Sequence, residues 1–284
     1  MAAAFIHYLL GLGIAYIFGY RGLDMLIVGL IGVIQDMDFV TFFFHDTLNK
    51  SKFSRLFTHR GITHTFLFAG IVSAGIFVVA PILSLIFFTN FLLHIFADYV
   101  TSWGITPFLP FSKTRYSLGL MSIFDVPLIM ISAGVGVSAI LSVNPVYFFG
   151  LFFGYICLRY LLKNRLQYKR LVPMGTFTYA FCATGESYTA GKVDILGREE
   201  TISVDKIRSH IDESVLEKVA SKIKESSFSH FLEYPTYSIE DNTIVIKDAR
   251  SFLFPHSSRL FTVFFDIDTE SLYINTAGRK IEIH

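Results

Sequence analysis

The stretch His59-Arg60-Gly61-Ile62-Thr63-His64-Thr65 places two histidines and an arginine between a basic loop and a long apolar run. Ionisable groups at the edge of a hydrophobic segment are costly unless they pair with one another, bind an ion or line a wet cavity. The heptapeptide therefore predicts a functional site at the end of an apolar segment. The other polar residues in the first half of the chain can be placed around it.

The composition is that of a membrane protein. Of the 284 residues, 52% are hydrophobic and only 17% are charged, whereas a typical soluble domain has about 25% charged residues. The charges crowd after residue 160, so we expect a polytopic membrane domain over 1–165 and a soluble domain over 172–284. The net charge of +1 does not point to nucleic acid, and no nucleic-acid partner is expected.

Six hydrophobic runs predict an α-helical integral membrane bundle of about six helices, some of them short. The first run lacks a basic start and leads directly into the second, so we interpret it as a membrane helix and not as a signal peptide. Pro81 and Pro145 separate pairs of runs, which indicates tight hairpins or re-entrant segments. The runs are 3–20, 23–44, 64–80, 82–100, 122–142 and 145–162.

Alternating these helices across a membrane collects the basic loop residues on one side, with Arg21 alone on the other. The positive-inside rule makes the basic side cytoplasmic. We therefore expect a multi-pass protein of the cytoplasmic membrane with both termini in the cytoplasm. The collected residues are Lys50, Lys52, Arg55, Arg60, Lys113, Arg115, Lys163, Arg165, Lys169 and Arg170.

The same placement brings four histidines and four aspartates to one membrane face. Imidazole together with carboxylate suits zinc, manganese or iron, so we expect divalent metal ions here, zinc first, and two ions if all eight side chains are ligands. His94 and Asp98 are four residues apart and share a helix face. The expected ligands are His7, Asp36, Asp38, His59, His64, His94, Asp98 and Asp125.

Each of these residues also has an alternative role. His7 suits an interfacial histidine, and Asp125 suits a charge at a helix N-terminus. Asp36 and Asp98 suit a helix cap or an ion pair with Arg60. We favour the metal site because eight residues with unrelated structural roles are not expected to lie at the same membrane depth.

Phosphoester hydrolysis is the chemistry that fits this ligand set best. Divalent ions activate water and stabilise charge on phosphoryl oxygens, and the guanidinium of Arg60 matches a phosphate in a bidentate way. Arg60 is alternatively a positive-inside anchor. We expect catalytic roles for Asp38, Arg60 and Asp125, with one carboxylate acting as a general base. Gly61 would allow a close backbone approach.

These motifs resemble those of the YdjM-like family of membrane proteins, to which a metal-dependent hydrolase activity is attributed. The resemblance covers about residues 1–130, and the heptapeptide is its specific part. It implies the same activity and ligand pattern here. Phe39 stands where many members have a histidine, which leaves the metal count open, and Thr65 replaces the usual serine. The corresponding residues are His7, Asp36-Met37-Asp38, the heptapeptide, His94-Ile95-Phe96-Ala97-Asp98 and the loop 101–111.

The pattern changes after the last apolar run. From Val172 onward, apolar and polar residues alternate between turn signals, which predicts strands. One amphipathic helix is predicted at about 204–226, because isoleucine and valine recur there every four residues. Two final strands are predicted near 260–267 and 271–276. We interpret 172–284 as a small α+β domain with an antiparallel sheet on the cytoplasmic side.

Three functions fit these observations. The first is a metal-dependent hydrolase of a phosphoester in a lipid or lipid-linked molecule, with membrane lipids as partners. The second is a divalent-cation transporter or ion-binding membrane protein, whose ligands are expected nearer the bilayer midplane. The third is a scaffold whose tail binds a protein partner, which leaves the histidines unexplained. Lys113 and Arg115 either hold an anionic head group or only set the topology.

Overall fold

The chain divides into two compact units, Met1–Arg165 and Leu166–His284. The first unit is helical, and the second carries the β-sheets. Two of the expected ligands, Asp38 and His59, lie outside the residues that the structure describes. The computed structural model describes residues 2–36, 60–122, 124–168, 170–226, 229, 232–254, 262–276 and 279–283.

Within the described residues, the first unit contains six α-helices. Two of them, α4 and α6 in the list that follows, are long and apolar enough to cross a membrane, whereas α1, α3 and α5 are shorter apolar helices. The helical character of this unit is confirmed, and six membrane spans stay a prediction. The helices are α1 (Ala2–Ile17), α2 (Gly22–Gly29), α3 (Phe66–Phe77), α4 (Pro81–Tyr99), α5 (Val126–Ile140) and α6 (Val146–Arg165).

The second helix ends earlier than the apolar run 23–44 predicted. The α-helix stops at Gly29, and residues 30–36 continue as a tighter 3₁₀ helix. Close packing against α1 accompanies this change, since a Cβ added to Gly32 would lie 2.4 Å from the carbonyl oxygen of His7. Gly32 therefore allows the 3₁₀ segment to lie directly against the part of α1 that carries His7.

The core of the first unit includes buried side chains of α1, α5 and α6. Leu10, Val135 and Phe152 are fully buried there. The Leu9 side chain of α1 packs directly on Gly136 of α5, where an added Cβ would lie 2.4 Å from it. Such small-residue contacts are typical of helix packing in membranes, where close van der Waals contact replaces the hydrophobic effect.

The described residues of the second unit form two antiparallel sheets, where the sequence predicted one. In each sheet the strands are neighbours in chain order, β1 to β4 in the first sheet and β5 to β9 in the second. The strands predicted near 260–267 and 271–276 are present as β7 and β8, but they are not the final ones, because β9 follows them. The strands are β1 (Val172–Pro173), β2 (Thr178–Thr184), β3 (Tyr188–Asp194), β4 (Glu199–Val204), β5 (Pro235–Glu240), β6 (Thr243–Asp248), β7 (Thr262–Asp266), β8 (Ser271–Thr276) and β9 (Arg279–Glu282).

The helix of the second unit, α7 (Glu213–Glu225), is shorter than the predicted 204–226. Its start is set by Asp212, whose carboxylate accepts the backbone N–H of Ser214. Ile207 matched the helical spacing but instead forms an isolated bridge with Tyr237 of β5. Pairing with a strand thus overrides the four-residue periodicity before Asp212.

Candidate metal centre

Five of the expected ligands lie on four segments that meet inside the first unit. The placement of His64 depends on Thr65, whose hydroxyl donates to the carbonyl of Ile62 at 2.8 Å and accepts the N–H of Phe68 at 3.1 Å. Thr65 is therefore the cap of α3, and it fixes the turn that carries His64. The five residues are His7 on α1, Asp36 on the 3₁₀ segment 30–36, His64 on the 3₁₀ turn Ile62–His64, and His94 and Asp98 on α4.

Imidazole nitrogens and carboxylate oxygens of this cluster converge. His94 Nε2 lies 3.2 Å from His64 Nε2 and 3.5 Å from Asp36 Oδ1. His64 Nε2 lies 3.7 Å from Asp36 Oδ1 and 3.7 Å from Asp98 Oδ2. These nitrogen–oxygen distances are longer than ordinary hydrogen bonds of about 2.7–3.2 Å. The side chains therefore point toward a shared space more than they bond to one another.

His7 extends the cluster on the other side of His94. Its ring stacks on the His94 ring, with centroids 3.6 Å apart, and its Nε2 lies 3.6 Å from Asp98 Oδ1. Among the described residues, two groups could hold a metal ion, each with its ligand atoms within 4.8 Å of one another. They are His7, His94 and Asp98, and Asp36, His64 and His94. His94 belongs to both groups.

The outer contacts of the histidines favour metal binding. His94 Nδ1 lies 2.9 Å from the carbonyl oxygen of Gly32. Because a carbonyl can only accept, Nδ1 carries the hydrogen, and a neutral His94 turns the lone pair of Nε2 toward the cluster. His64 Nδ1 lies 3.0 Å from the hydroxyl of Thr63. Histidines that bind metals use their second nitrogen in this way.

Several buried polar atoms of the cluster have no hydrogen-bond partner within the described part of the chain. They are His7 Nδ1, Asp36 Oδ2 and Asp98 Oδ2. His94 and Asp98 are each only 1% exposed, so water does not compensate at the surface. A buried carboxylate oxygen without a donor is strongly unfavourable. A cation between these imidazole and carboxylate groups would remove that penalty, so the donor set fits a divalent metal ion.

Arg60 lies in the cluster, but it already has an acidic partner. Its guanidinium donates to Asp98 Oδ1 at 2.8 Å and to the carbonyl oxygen of Gly104 at 2.9 Å. The pairing of Asp98 with an arginine, an alternative role noted from the sequence, is therefore present. The strained backbone of the heptapeptide is at Arg60, with φ 65°, whereas Gly61 has φ −81°.

A small cavity adjoins the cluster. It has a volume of about 20 Å³, and Arg60, His7 and Asp98 contribute to its wall together with Ser122. This is room for about one water molecule. These residues place a guanidinium, an imidazole and a carboxylate around the same small space.

Asp125 belongs to a different buried network. Its Oδ1 accepts the N–H of Leu128 at 3.2 Å and the hydroxyl of Tyr155 at 2.8 Å, and its Oδ2 accepts from Arg159 at 3.2 Å. It is a member of neither candidate metal group. Sequence reasoning had grouped Asp125 with the ligands and assigned it a catalytic role. In the structure, Asp125 caps α5 and pairs with Arg159, which matches the alternative role at a helix N-terminus, and its metal and catalytic roles stay predictions.

Arg159 and Tyr155 were not singled out from the sequence. Arg159 is fully buried, and it also donates to the carbonyl oxygen of Leu120 at 2.8 Å. The signal was available, because a cation inside an apolar helix requires a buried partner. Lys163, expected only as a topology charge, donates to the carbonyl oxygens of Leu118 and Gly119. The α6 helix therefore holds the segment that precedes α5.

Comparison with known proteins identifies the first unit. The family described as YdjM inner membrane protein matches residues 1–166, more than half of the 284 residues. No curated protein and no solved structure matches the chain. The matched region contains the whole cluster, and the resemblance noted from the motifs is confirmed. The protein is therefore a membrane protein, and the chain belongs to the YdjM family of inner membrane proteins.

Proposed function

We propose that the protein is a membrane-embedded, metal-dependent hydrolase that cleaves a phosphoester of a lipid or lipid-linked molecule. One observation carries the proposal: two His/Asp groups share His94 and leave three buried polar atoms without partners in the described part of the chain. Zinc is the first candidate ion, with manganese or iron as alternatives. The proposed ligands are His7, Asp36, His64, His94 and Asp98, with Asp38 and His59 from outside the described residues.

A divalent ion at these ligands would supply activated water and would offset charge on phosphoryl oxygens. The chain's own groups have separate tasks. Arg60 lines the cavity beside His7 and Asp98. Its guanidinium holds Asp98 and presents positive charge to an incoming phosphate. Asp36 and Asp38 are the candidate general bases, and Asp36 Oδ2 has no donor among the described residues.

The proposal places the site at the cytoplasmic face of a multi-pass bundle with both termini in the cytoplasm. It is supported by the excess of lysine and arginine in the loops that flank the cluster. The residues of the cluster also lie near segment ends: His7 is in the first half of α1, and Asp98 is in the last turn of α4.

A divalent-cation transporter or ion-binding membrane protein is the second candidate. It is favoured by the depth of the cluster, since His64 is fully buried and the adjoining cavity has a volume of only about 20 Å³. That space accepts an ion or one water molecule, whereas a phosphoester needs the surrounding segments to move apart.

Reconstitution of the full chain in phospholipid vesicles separates the two functions. We expect release of phosphate or of a phosphorylated head group from phosphoester lipids in the presence of zinc or manganese. His64→Ala is expected to lower the rate at least 100-fold, whereas His210→Ala, which changes an exposed histidine of the second unit, leaves the rate unchanged. Metal uptake without any hydrolysis would reverse the ranking. Neither activity, at metal concentrations that saturate the protein, would contradict both.

A further inference from the structure

The segment 101–121 between α4 and α5 exposes aromatic rings although it is not helical. The exposed fractions are 38% for Trp103, 46% for Phe108, 83% for Phe111 and 39% for Tyr116. A row of rings exposed on a non-helical segment is unfavourable in water, and in a membrane protein it indicates contact with lipid.

The same segment carries positive charge and no acidic residue. Lys113 and Arg115 are both exposed and lie between Phe111 and Tyr116. The guanidinium Nε of Arg115 donates to the backbone carbonyl of Trp103, so this cation is tied to the backbone of the segment. The surface therefore combines aromatic rings with two positive charges, and it is complementary to an anionic, partly apolar partner.

Internal contacts hold the segment in a defined shape. Ile105 and Tyr116 exchange backbone hydrogen bonds of 2.9 and 2.7 Å. Gly104 has φ 61°, and an added Cβ would lie 2.4 Å from the carbonyl oxygen of Tyr116, so the hairpin-like pairing needs glycine there. The Phe108 ring packs edge-on against the Tyr116 ring, with centroids 5.6 Å apart. The backbone pairing and the ring contact thus hold Phe108 and Tyr116 in defined positions.

Three physical constraints select the headgroup layer as the position of this segment. Irregular backbone exposed to lipid is not tolerated in the hydrocarbon region, because its polar groups lack partners there. Tryptophan and tyrosine concentrate at the membrane–water interface. Lysine and arginine near the surface are attracted to anionic lipids.

We propose that segment 101–121 lies in the headgroup layer and binds anionic phospholipids of the surrounding bilayer through Lys113 and Arg115. This inference requires membrane insertion but not hydrolysis. The segment is also tied to the metal cluster, because Arg60 donates to Gly104 and lies 5.8 Å from the centre of the Trp103 ring. If hydrolysis is established, as the proposed function holds, anionic phospholipids become the first substrates to test.

Trp103 is the only tryptophan in the chain, so its fluorescence reports directly on this segment. The full-length protein is reconstituted in vesicles that contain lipids brominated either near the headgroup or at the chain end. We expect stronger quenching from the shallow bromines and weak quenching by aqueous iodide. Iodide quenching as strong as that of free tryptophan, or strongest quenching from the chain-end bromines, would overturn the placement.

Lipid preference is measured by comparing brominated phosphatidylglycerol with brominated phosphatidylcholine at equal mole fraction. We expect phosphatidylglycerol to quench at lower mole fraction, and Lys113→Gln with Arg115→Gln to reduce the preference about fivefold for each cation removed. Lys192→Gln with Arg198→Gln, which removes the same charge from the second unit, is expected to leave it unchanged. Equal quenching by both lipids in the wild-type protein would overturn the proposal.

Two further measurements test Lys113 separately from Arg115 and distinguish bilayer lipids from free phosphate esters. Lys113→Gln alone removes an exposed side chain without touching the Arg115 bond to Trp103, and it is expected to give about half of the effect on a logarithmic scale. Soluble glycerol phosphate at millimolar concentration is expected not to change the lipid preference. If glycerol phosphate abolished the preference, the surface would bind free phosphate esters, and the assignment to bilayer lipids would be wrong.

Discussion

Two buried aspartates of the first unit, Asp98 and Asp125, differ in how their oxygens are satisfied. Both oxygens of Asp125 accept hydrogen bonds, from Tyr155, Leu128 and Arg159. Asp98 accepts from Arg60 through Oδ1, but its Oδ2 has no donor in the described part of the chain and faces imidazole nitrogens. Burial of an aspartate thus does not by itself mark a ligand. What distinguishes Asp98 from Asp125 is the oxygen that has no donor and is directed at histidines.

The net charge around the two aspartates also differs. Asp125 faces one arginine, so the charges of that pair cancel. In the candidate metal cluster, Asp98 pairs with Arg60, whereas Asp36 lies near His64 and His94. With neutral histidines, the two aspartates and the arginine sum to −1. A divalent cation suits the second environment and has no place in the first. Single substitutions in each network test this difference.

The largest effect on stability is expected in the network of Asp125, Tyr155 and Arg159, where both carboxylate oxygens accept hydrogen bonds. Asp125→Ala removes the carboxylate partner of the buried Arg159, and the free energy of unfolding should fall by about 3–5 kcal/mol. The loss should be the same with bound metal and with chelator, as measured by denaturant unfolding in detergent. A loss that appears only with metal would make Asp125 a ligand after all.

A bound metal ion should stabilise the protein through the cluster of His7, Asp36, His64, His94 and Asp98. At a metal concentration about 100 times the dissociation constant, the free energy of unfolding should rise by about 2.7 kcal/mol. Asp36→Ala is expected to abolish this increase. Tyr155→Phe, which removes one donor to Asp125, is expected to keep it. Thermal unfolding with and without chelator is the measurement, and equal increases in the two variants would refute the distinction between the two networks.

A smaller effect is expected from the outer contact of His64. Thr63→Val removes the hydroxyl beside His64 Nδ1, and metal affinity should weaken about tenfold, since such outer partners are worth about 10–100-fold. Competition with a chromogenic chelator measures this change. Ser138→Ala is the control, because its hydroxyl bonds to the carbonyl of Val135 within α5. A tenfold loss in both variants would indicate general loosening instead.

The smallest effect is expected at Thr65. Thr65→Ala removes the cap of α3 and should destabilise the protein by about 1 kcal/mol. Thr65→Ser keeps the capping oxygen and should be close to neutral. Unfolding of the two variants in chelator tests the assignment. Equal stability would show that the hydroxyl caps nothing, and the difference between threonine and the serine usual in the family would then need another explanation.

Local spacing made part of the site predictable. The i, i+4 pair of His94 and Asp98 and the heptapeptide with His64 led directly to the cluster. The end of α2 at Gly29 was not predictable, because it accompanies close packing of Gly32 on α1, which no periodicity encodes. The position of Asp125 outside the cluster was not predictable for a related reason, since its partner Arg159 is 34 residues away on α6.

The same limit applies to the second unit. Alternation predicted the strands, and β7 and β8 appear where they were expected. Whether the strands form one sheet or two depends on contacts between distant strands, and the pattern of side chains along one strand is the same in both cases. The late start of α7 follows from the bridge between Ile207 and Tyr237, which local periodicity also does not contain.

Metal analysis of the purified full-length protein tests the central claim most directly. After exposure to zinc or manganese and removal of free metal, elemental analysis should find at least one bound ion per chain. His64→Ala and Asp98→Ala should each lose it, while His210→Ala should keep it. A wild-type protein without bound metal, or metal content unchanged by His64→Ala and Asp98→Ala, would contradict the account.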